Sequence, residues 1–284
     1  MTQAVAVKPM QFPAGSFIFL LTIALPASAA SASAPSKSPD ATTIIQRSVD
    51  AMHRDWQASE HYNHLERDLE AHGSKTFEIL MIQGSPYQKL TAVNGMPLSP
   101  GEAKKEDEKL RREIASRCGE SPSEKQKRIA KYQKDQKRDH EMIGELTKAF
   151  TFKVAGRQRV NGRQTWLLNA TPKRGYQPPD LETKALTGME GKLWIDTASF
   201  EWVRVEAHVV QPVSIEGFLA TVEPGTVFEL VRAPVNKAFW APSHFSDRSR
   251  ARIVGFIGHS THDDETYSNY RFASSLNLPA CTAN

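Results

Sequence analysis

Hydrophobic and polar positions alternate with a period of two over most of the chain, and shift to three- and four-residue steps in two regions. The cleanest alternation is Gly191-Lys-Leu-Trp-Ile-Asp196, then a polar break Thr197-Ala-Ser-Phe-Glu201, then Trp202-Val-Arg-Val-Glu-Ala-His-Val-Val210. Two runs rich in β-branched and aromatic residues around a short break predict a β-hairpin. On its second arm Val203, Val205, Ala207 and Val209 fall on one face, and Trp202, Arg204, Glu206 and His208 on the other. On the first arm Leu193 and Ile195 oppose Lys192, Trp194 and Asp196. Such a pattern buries one face and leaves the other to water or a second layer.

The rest of the chain extends this hairpin into a sheet. Ile44, Ile45, Val49, Met52 and Trp56 recur at helical steps and predict a helix over 41–56, with Thr42 or Thr43 as N-cap. Strands follow over 62–70, 75–83 and 87–93, joined at His72-Gly73 and closed by Asn94-Gly95, a dipeptide that accepts positive φ. Ser99-Pro100 and Ser121-Pro122 then open two helices, divided at Gly119 and ending near 148. Their apolar positions are sparse (Leu110, Ile114, Ile129, Tyr132, Met142, Ile143, Leu146), so this helical hairpin reads as a solvated projection supported by interleaved charges, or as a lid or docking arm for an envelope protein. Strands resume over 150–154, 165–170, 218–222, 226–232, 238–242, 246–256 and 266–272, on either side of the central hairpin. The predicted fold class is α+β, mainly β. It is a curved antiparallel half-barrel of about ten or eleven strands, with the N-terminal helix on the concave face and the charged helical hairpin inserted.

Composition adds an address. The 284 residues carry a formal net charge of +4, a mild excess spread along the chain, and no nucleic-acid-binding motif is present. Lys8 precedes the apolar run Phe17-Ile-Phe-Leu-Leu-Thr-Ile-Ala-Leu25, too short to span a bilayer, and Pro26-Ala-Ser-Ala29 has the small-x-small form of a cleavage site. The expectation is a signal peptide over 1–29 cleaved near Ala29, a disordered tether over 30–40, a domain over 41–274 with the hairpin insert at 99–148, and a loose tail over 275–284. No later stretch is long enough for a membrane helix, so the mature chain is expected in a bacterial periplasm. In that oxidising compartment Cys118 and Cys281 form either a disulfide or two separate thiols.

Candidate chemistry is thin. There is no Gly-x-Ser-x-Gly, no phosphate-cradling loop and no Cys-x-x-Cys. His61 and His64 fall on opposite sides of a strand, and His259-Ser-Thr-His-Asp-Asp-Glu265 lies where a polar turn is expected, so no metal and no cofactor are assigned. Gly255-Phe-Ile-Gly-His-Ser260 places a serine beside a histidine, which keeps a hydrolase as third choice. Arg248, Arg250 and Arg252 project from one face, as a solvated outer surface or as a contact for an anionic head group.

The Gly191-Lys-Leu-Trp-Ile-Asp196 and Val203-Arg-Val-Glu206 strands resemble those of the LolA/LolB-like outer-membrane lipoprotein-sorting proteins. Gly84-Ser-Pro-Tyr-Gln-Lys-Leu90, Asn94-Gly-Met-Pro-Leu-Ser99 and Val160-Asn-Gly-Arg163 add to the likeness, which covers roughly 43–272. The resemblance implies an unclosed half-barrel whose apolar hollow holds acyl chains, hence a lipid or lipoprotein carrier without catalysis. The helical pair is longer and more charged than the lid helices of such carriers, which favours generic binding over lipoprotein transfer. The candidate lining is Leu193, Ile195, Val203, Val205, Phe228 and Leu230, the other reading being plain core under the first helix. The alternative function is an envelope-stress sensor or protein-interaction domain on the same fold.

Overall fold

The first helix, α1 (Ala41–Ser59), is capped by Asp40 and not by Thr42 or Thr43: the Asp40 carboxylate accepts from the Thr43 amide at 2.7 Å. The computed structural model describes residues 39–70, 72–214, 220–253 and 256–275; the expected leader, most of the tether, and the tail with Cys281 lie outside the described residues. A meander follows α1: β1 (Tyr62–Glu70), β2 (Gly73–Ile82), β3 (Ser85–Val93) and the two-residue β4 (Met96–Pro97). Asn94 and Gly95 turn it with φ of 53° and 74°, the paired positive values a two-residue hairpin turn needs.

Helices α2 (Pro100–Cys118) and α3 (Pro122–Ala149) each begin with a capping box, Ser99 with Glu102 and Ser121 with Glu124, and a proline in the first turn. The chain returns to strand at β5 (Phe150–Val160) and β6 (Arg163–Pro172), turned by Asn161-Gly162. A short α4 (Leu181–Lys184) leads through a 3-10 turn into β7 (Met189–Asp196) and β8 (Trp202–Val209). Two small strands, β9 (Val213–Ser214) and β10 (Ala220–Val222), precede β11 (Val227–Pro234), β12 (Trp240–Ile253) and β13 (Phe256–Phe272).

All pairings are antiparallel, in one open sheet of order β4-β3-β2-β1-β13-β12-β11-β8-β7-β6-β5, with β9 and β10 attached beside β12. The expected half-barrel is therefore present, with two corrections. The strands expected at 238–242 and 246–256 are one continuous strand, β12. The stretch from His259 to Glu265 is no turn: it lies inside β13, paired with β12 on one side and with β1 on the other.

The core lies between α1 and one face of the sheet. Ile44, Ile45 and Met52 of α1 pack on Trp166, Leu168, Leu193, Ile195, Trp202 and Val209, and Met142, Ile143 and Leu146 of α3 close over the same cluster. A bulge sets part of this face. Leu193 pairs with Val205 and Trp194 with Arg204, but Ile195 pairs with Trp202, which leaves Val203 as the extra residue. Side-chain parity flips there. Trp202 turns into the core and its Nε1 donates to Ser48 Oγ at 3.0 Å, while Val203 joins Trp194 and Trp240 on the opposite face.

The helical hairpin is docked. Leu110 and Ile114 cover Leu80, Ile82 and Tyr87. Arg117, in the same dense run of charges, is buried at 7% exposure. Its Nη1 donates to the carbonyls of Ile82 and Ser85 at 2.7 and 2.8 Å, and its Nη2 to that of Pro86 at 3.1 Å. From there α3 runs across to β5, at the other end of the sheet, and touches α1 on the way.

Candidate binding groove along the edge strand

The residues expected to line a hollow separate into two groups. Leu193 and Ile195 are core beneath α1, and Val205, Phe228 and Leu230 are half-buried against that same core. Leu193, Val205 and Leu230 form a row across β7, β8 and β11. Val203 does not belong with them, because the bulge sends it to the other face. Arg248 pairs with Val227, which pairs in turn with His208, whereas the next residue, Phe228, pairs with Asp247 and Ala207. Since directly paired residues share a face, exposed Arg248 and Arg250 stand on the side away from the core. Arg252 continues β12 opposite Thr221.

The space left open is at the edge. β5 ends the sheet, and Phe150, Phe152 and Val154 share the core face, opposite Pro172, Ala170 and Leu168. Their burial fades along the strand: Phe150 is covered, Phe152 half-covered, and Val154 is 44% exposed. α1 meets this strand near its own start. Thr42, Ile45 and Gln46 of α1, Thr147 of α3, Phe150, Thr151 and Phe152 of β5 and Lys173 enclose a cleft of about 320 Å³. That is the small end of the range for ligand sites, with an aromatic floor from Phe150 and Phe152 and polar walls from Thr42, Gln46, Thr147, Thr151 and Lys173.

Beyond Val154 a second bulge changes the character of the groove. Val154 pairs with Leu168 and Gly156 with Leu167, so Ala155 is the extra residue and the parity of β5 flips. Arg157 then pairs with Trp166 and Arg159 with Gln164, which puts both arginines on the groove side. The strip along β5 thus runs from Lys173 past two phenylalanines and a valine to a pair of exposed arginines.

Under the far end of α1 lies a buried ionic cluster that sequence reasoning missed. Arg232 Nη2 donates to Asp55 Oδ2 at 2.6 Å and to the Trp240 carbonyl at 2.8 Å, and Nη1 donates to Glu201 Oε2 at 3.2 Å. The Trp240 amide donates to Asp55 Oδ1 at 3.0 Å. All three charged residues are buried. Burial, then the neighbouring Asp55, pushes the Glu201 carboxyl up to about 7 against the pull of Arg232. The cluster fixes α1 to β11 and β12. Nothing along the sequence marks it, because Asp55 lies more than a hundred residues before Glu201 and Arg232 and meets them only in the fold. Among the described residues no group of three or more His, Cys, Asp or Glu side chains is placed to hold a metal ion. Among them, too, no helix is long and apolar enough to cross a membrane.

This geometry defines a class: an open antiparallel half-barrel filled by a helix, with a groove left at one edge. No protein-family model matches the chain, and no curated protein does. Solved structures similar to it include an outer membrane lipoprotein-sorting protein domain from Vibrio parahaemolyticus, at 11% identity and a TM-score of 0.33, covering 82% of this chain and 93% of that one. A LolA superfamily protein from Nitrosomonas europaea is similar at 8% identity and a TM-score of 0.32, over 85% of this chain and 96% of that one. A DUF1329 family protein from Desulfovibrio piger follows at 10% identity and 0.30, over 82% and 95%. Scores this low carry no weight for function, which has to come from the chain's own geometry.

Proposed function

We propose that this chain is an exported, non-catalytic binding or carrier protein for acyl chains, of free lipid or of lipidated protein, and that the acyl chain lies in the groove between α1 and β5. The observation that carries this reading is the apolar strip of β5, covered at Phe150, half-covered at Phe152 and exposed at Val154, which borders the cleft beside Ile45. The centre of the half-barrel is filled by α1 and leaves a guest the edge. Burying a methylene contributes about 0.8 kcal/mol, so a chain of ~12 carbons supplies ~10 kcal/mol, comparable to the cost of association. No reacting group is needed for that.

Native mass spectrometry of protein purified from its host tests the reading most directly. Copurified acyl species are expected; an empty monomer would favour the sensor alternative. A fluorescent fatty-acid probe gives the second measurement. Phe152→Glu, on a half-buried edge position, is expected to weaken probe binding at least tenfold while the melting temperature stays within a few degrees. Undiminished binding in that variant would place the guest elsewhere.

A further inference from the structure

We propose that the arginine end of the groove is a seat for one anionic head group, a phosphate or carboxylate, built from Arg157, Arg159 and Arg47 around the Trp166–Phe200 pair. The tail half of this statement rests on the acyl-binding reading; the anion half does not.

Four observations converge on the site. Arg157 and Arg159 reach the groove face only because of the bulge at Ala155, and a regular strand would have turned them to the other side. Across the site the Arg47 guanidinium carbon sits 3.6 Å from the centroid of the Phe200 ring. A guanidinium stacked by its face keeps its N–H edges free for an oxyanion. Trp166 is cross-strand partner to Arg157 and lies 4.9 Å from Phe200, ring centroid to centroid. Its Nε1 is enclosed and meets no hydrogen-bond acceptor, although Trp166 itself is 5% exposed. A buried indole N–H normally finds a partner.

The charge balance points the same way. Arg47 and Arg159 form no ion pair among the described residues, and the nearby Asp196 is engaged with Arg163 at 2.7 Å. Like charges in one neighbourhood repel, and an anion seated beside Arg47 and Arg159 would relieve that repulsion. Edge strands do carry charges as guards against pairing, and Lys153 on the opposite face of β5 suits that role. Guarding explains neither the Arg47 guanidinium stacked on Phe200 nor the orphaned donor of Trp166, the cross-strand partner of Arg157. An anion seated there, with Phe200 swung off the indole, would accept from the guanidinium edges and from Trp166 Nε1. Its acyl tail would run back along Val154 and Phe152 toward the cleft.

The test compares three probes by isothermal titration calorimetry and tryptophan fluorescence: dodecyl phosphate, dodecanol and inorganic phosphate. Wild type is expected to bind dodecyl phosphate at least tenfold tighter than dodecanol. The double variant Arg157→Gln/Arg159→Gln is expected to erase that preference and keep dodecanol binding, while Lys153→Gln leaves both unchanged. Trp166→Phe should remove the fluorescence change that dodecyl phosphate produces. Equal affinity of wild type for the two amphiphiles, or an equal loss in Lys153→Gln, overturns the head-group site and leaves acyl binding standing. Failure of both amphiphiles to bind overturns the acyl reading. Binding of inorganic phosphate, lost in the double variant, then supports the site with a free anion as its source. The two arginines are exposed, so loss of the fold, checked by circular dichroism, is not expected.

Discussion

Glu201 and Asp55 share one guanidinium, and that arrangement makes a pH dependence that a simple ion pair lacks. With both carboxylates ionised the buried cluster carries one negative charge too many, and Glu201 relieves it by holding its proton up to about pH 7. The groups facing it are Asp55 from α1, Arg232 from β11 and the Met52 sulfur beside that arginine. The ordinary value for a glutamate is 4.5, so between there and 7 the folded state binds a proton that the unfolded chain has released. Stability then falls as pH rises through that window; the contribution is complete below it and gone above. Glu201→Gln cannot ionise, yet its amide oxygen can still accept from Arg232. Thermal melts at pH 5 and pH 8 should show the variant less sensitive to pH than wild type, and more stable than wild type at pH 8; parallel curves would refute this. Gly191 gives a second test at this scale. A Cβ added there would lie 2.6 Å from the Glu206 carbonyl oxygen, so Gly191→Ala must push β7 and β8 apart. Loss of about 1–3 kcal/mol in urea unfolding is expected.

At the scale of elements, the hairpin shows what a sequence can and cannot disclose. Its caps were legible, because Ser99-Pro100 and Ser121-Pro122 act within one turn of themselves, and so were the Asn-Gly turns, which need only two positive φ values. Its docking was not. Arg117 is one of many charges in α2, and its acceptors lie more than thirty positions back, at the β2–β3 turn. Arg128 of α3 reaches the same turn, donating to Ser85 Oγ at 2.6 Å. The same limit hid the candidate site. Period-two reading put Val203 with Val205 and would turn Arg157 away from the groove, and in each strand one unpaired residue reverses the count. A bulge leaves no compositional trace when the inserted residue is an ordinary valine or alanine. Arg117→Ala removes a buried charge-assisted cluster and leaves three carbonyls short of a donor, at a cost of about 2–4 kcal/mol. Hydrogen exchange should locate the loss in α2 and β2–β3, with α1 unaffected; uniform loosening would count against docking. For the same reason deletion of 99–148 is expected to be poorly tolerated, since it bares Leu80 and Ile82.

For the molecule as a whole, the two ends of the sheet are treated differently, and this decides where a guest can enter. At one end β3 is flanked by the two-residue β4 and overlaid by α2; at the other, β5 runs eleven residues with its outer side open. α3 joins them, held at its start by Arg128 and at its end by Met142, Ile143 and Leu146 against the core. A third fastening belongs at the α2 end, where Cys118 is disulfide-bonded. Cys281, the other cysteine of the chain, is the partner we expect, which would tie the hairpin to the C-terminal tail across more than half of the sequence. Thiol titration under denaturing conditions should then find none without reductant and two with it. Closing so long a loop restricts the unfolded chain, so reduction or Cys118→Ser should lower stability by about 2–5 kcal/mol, a fall in Tm of roughly 5–15 °C. The groove lies at the opposite end of the sheet from this bridge. Affinity for the fatty-acid probe should therefore be the same in the reduced and oxidised protein at 25 °C. If reduction released the guest, the hairpin would be the gate and the β5 edge would not.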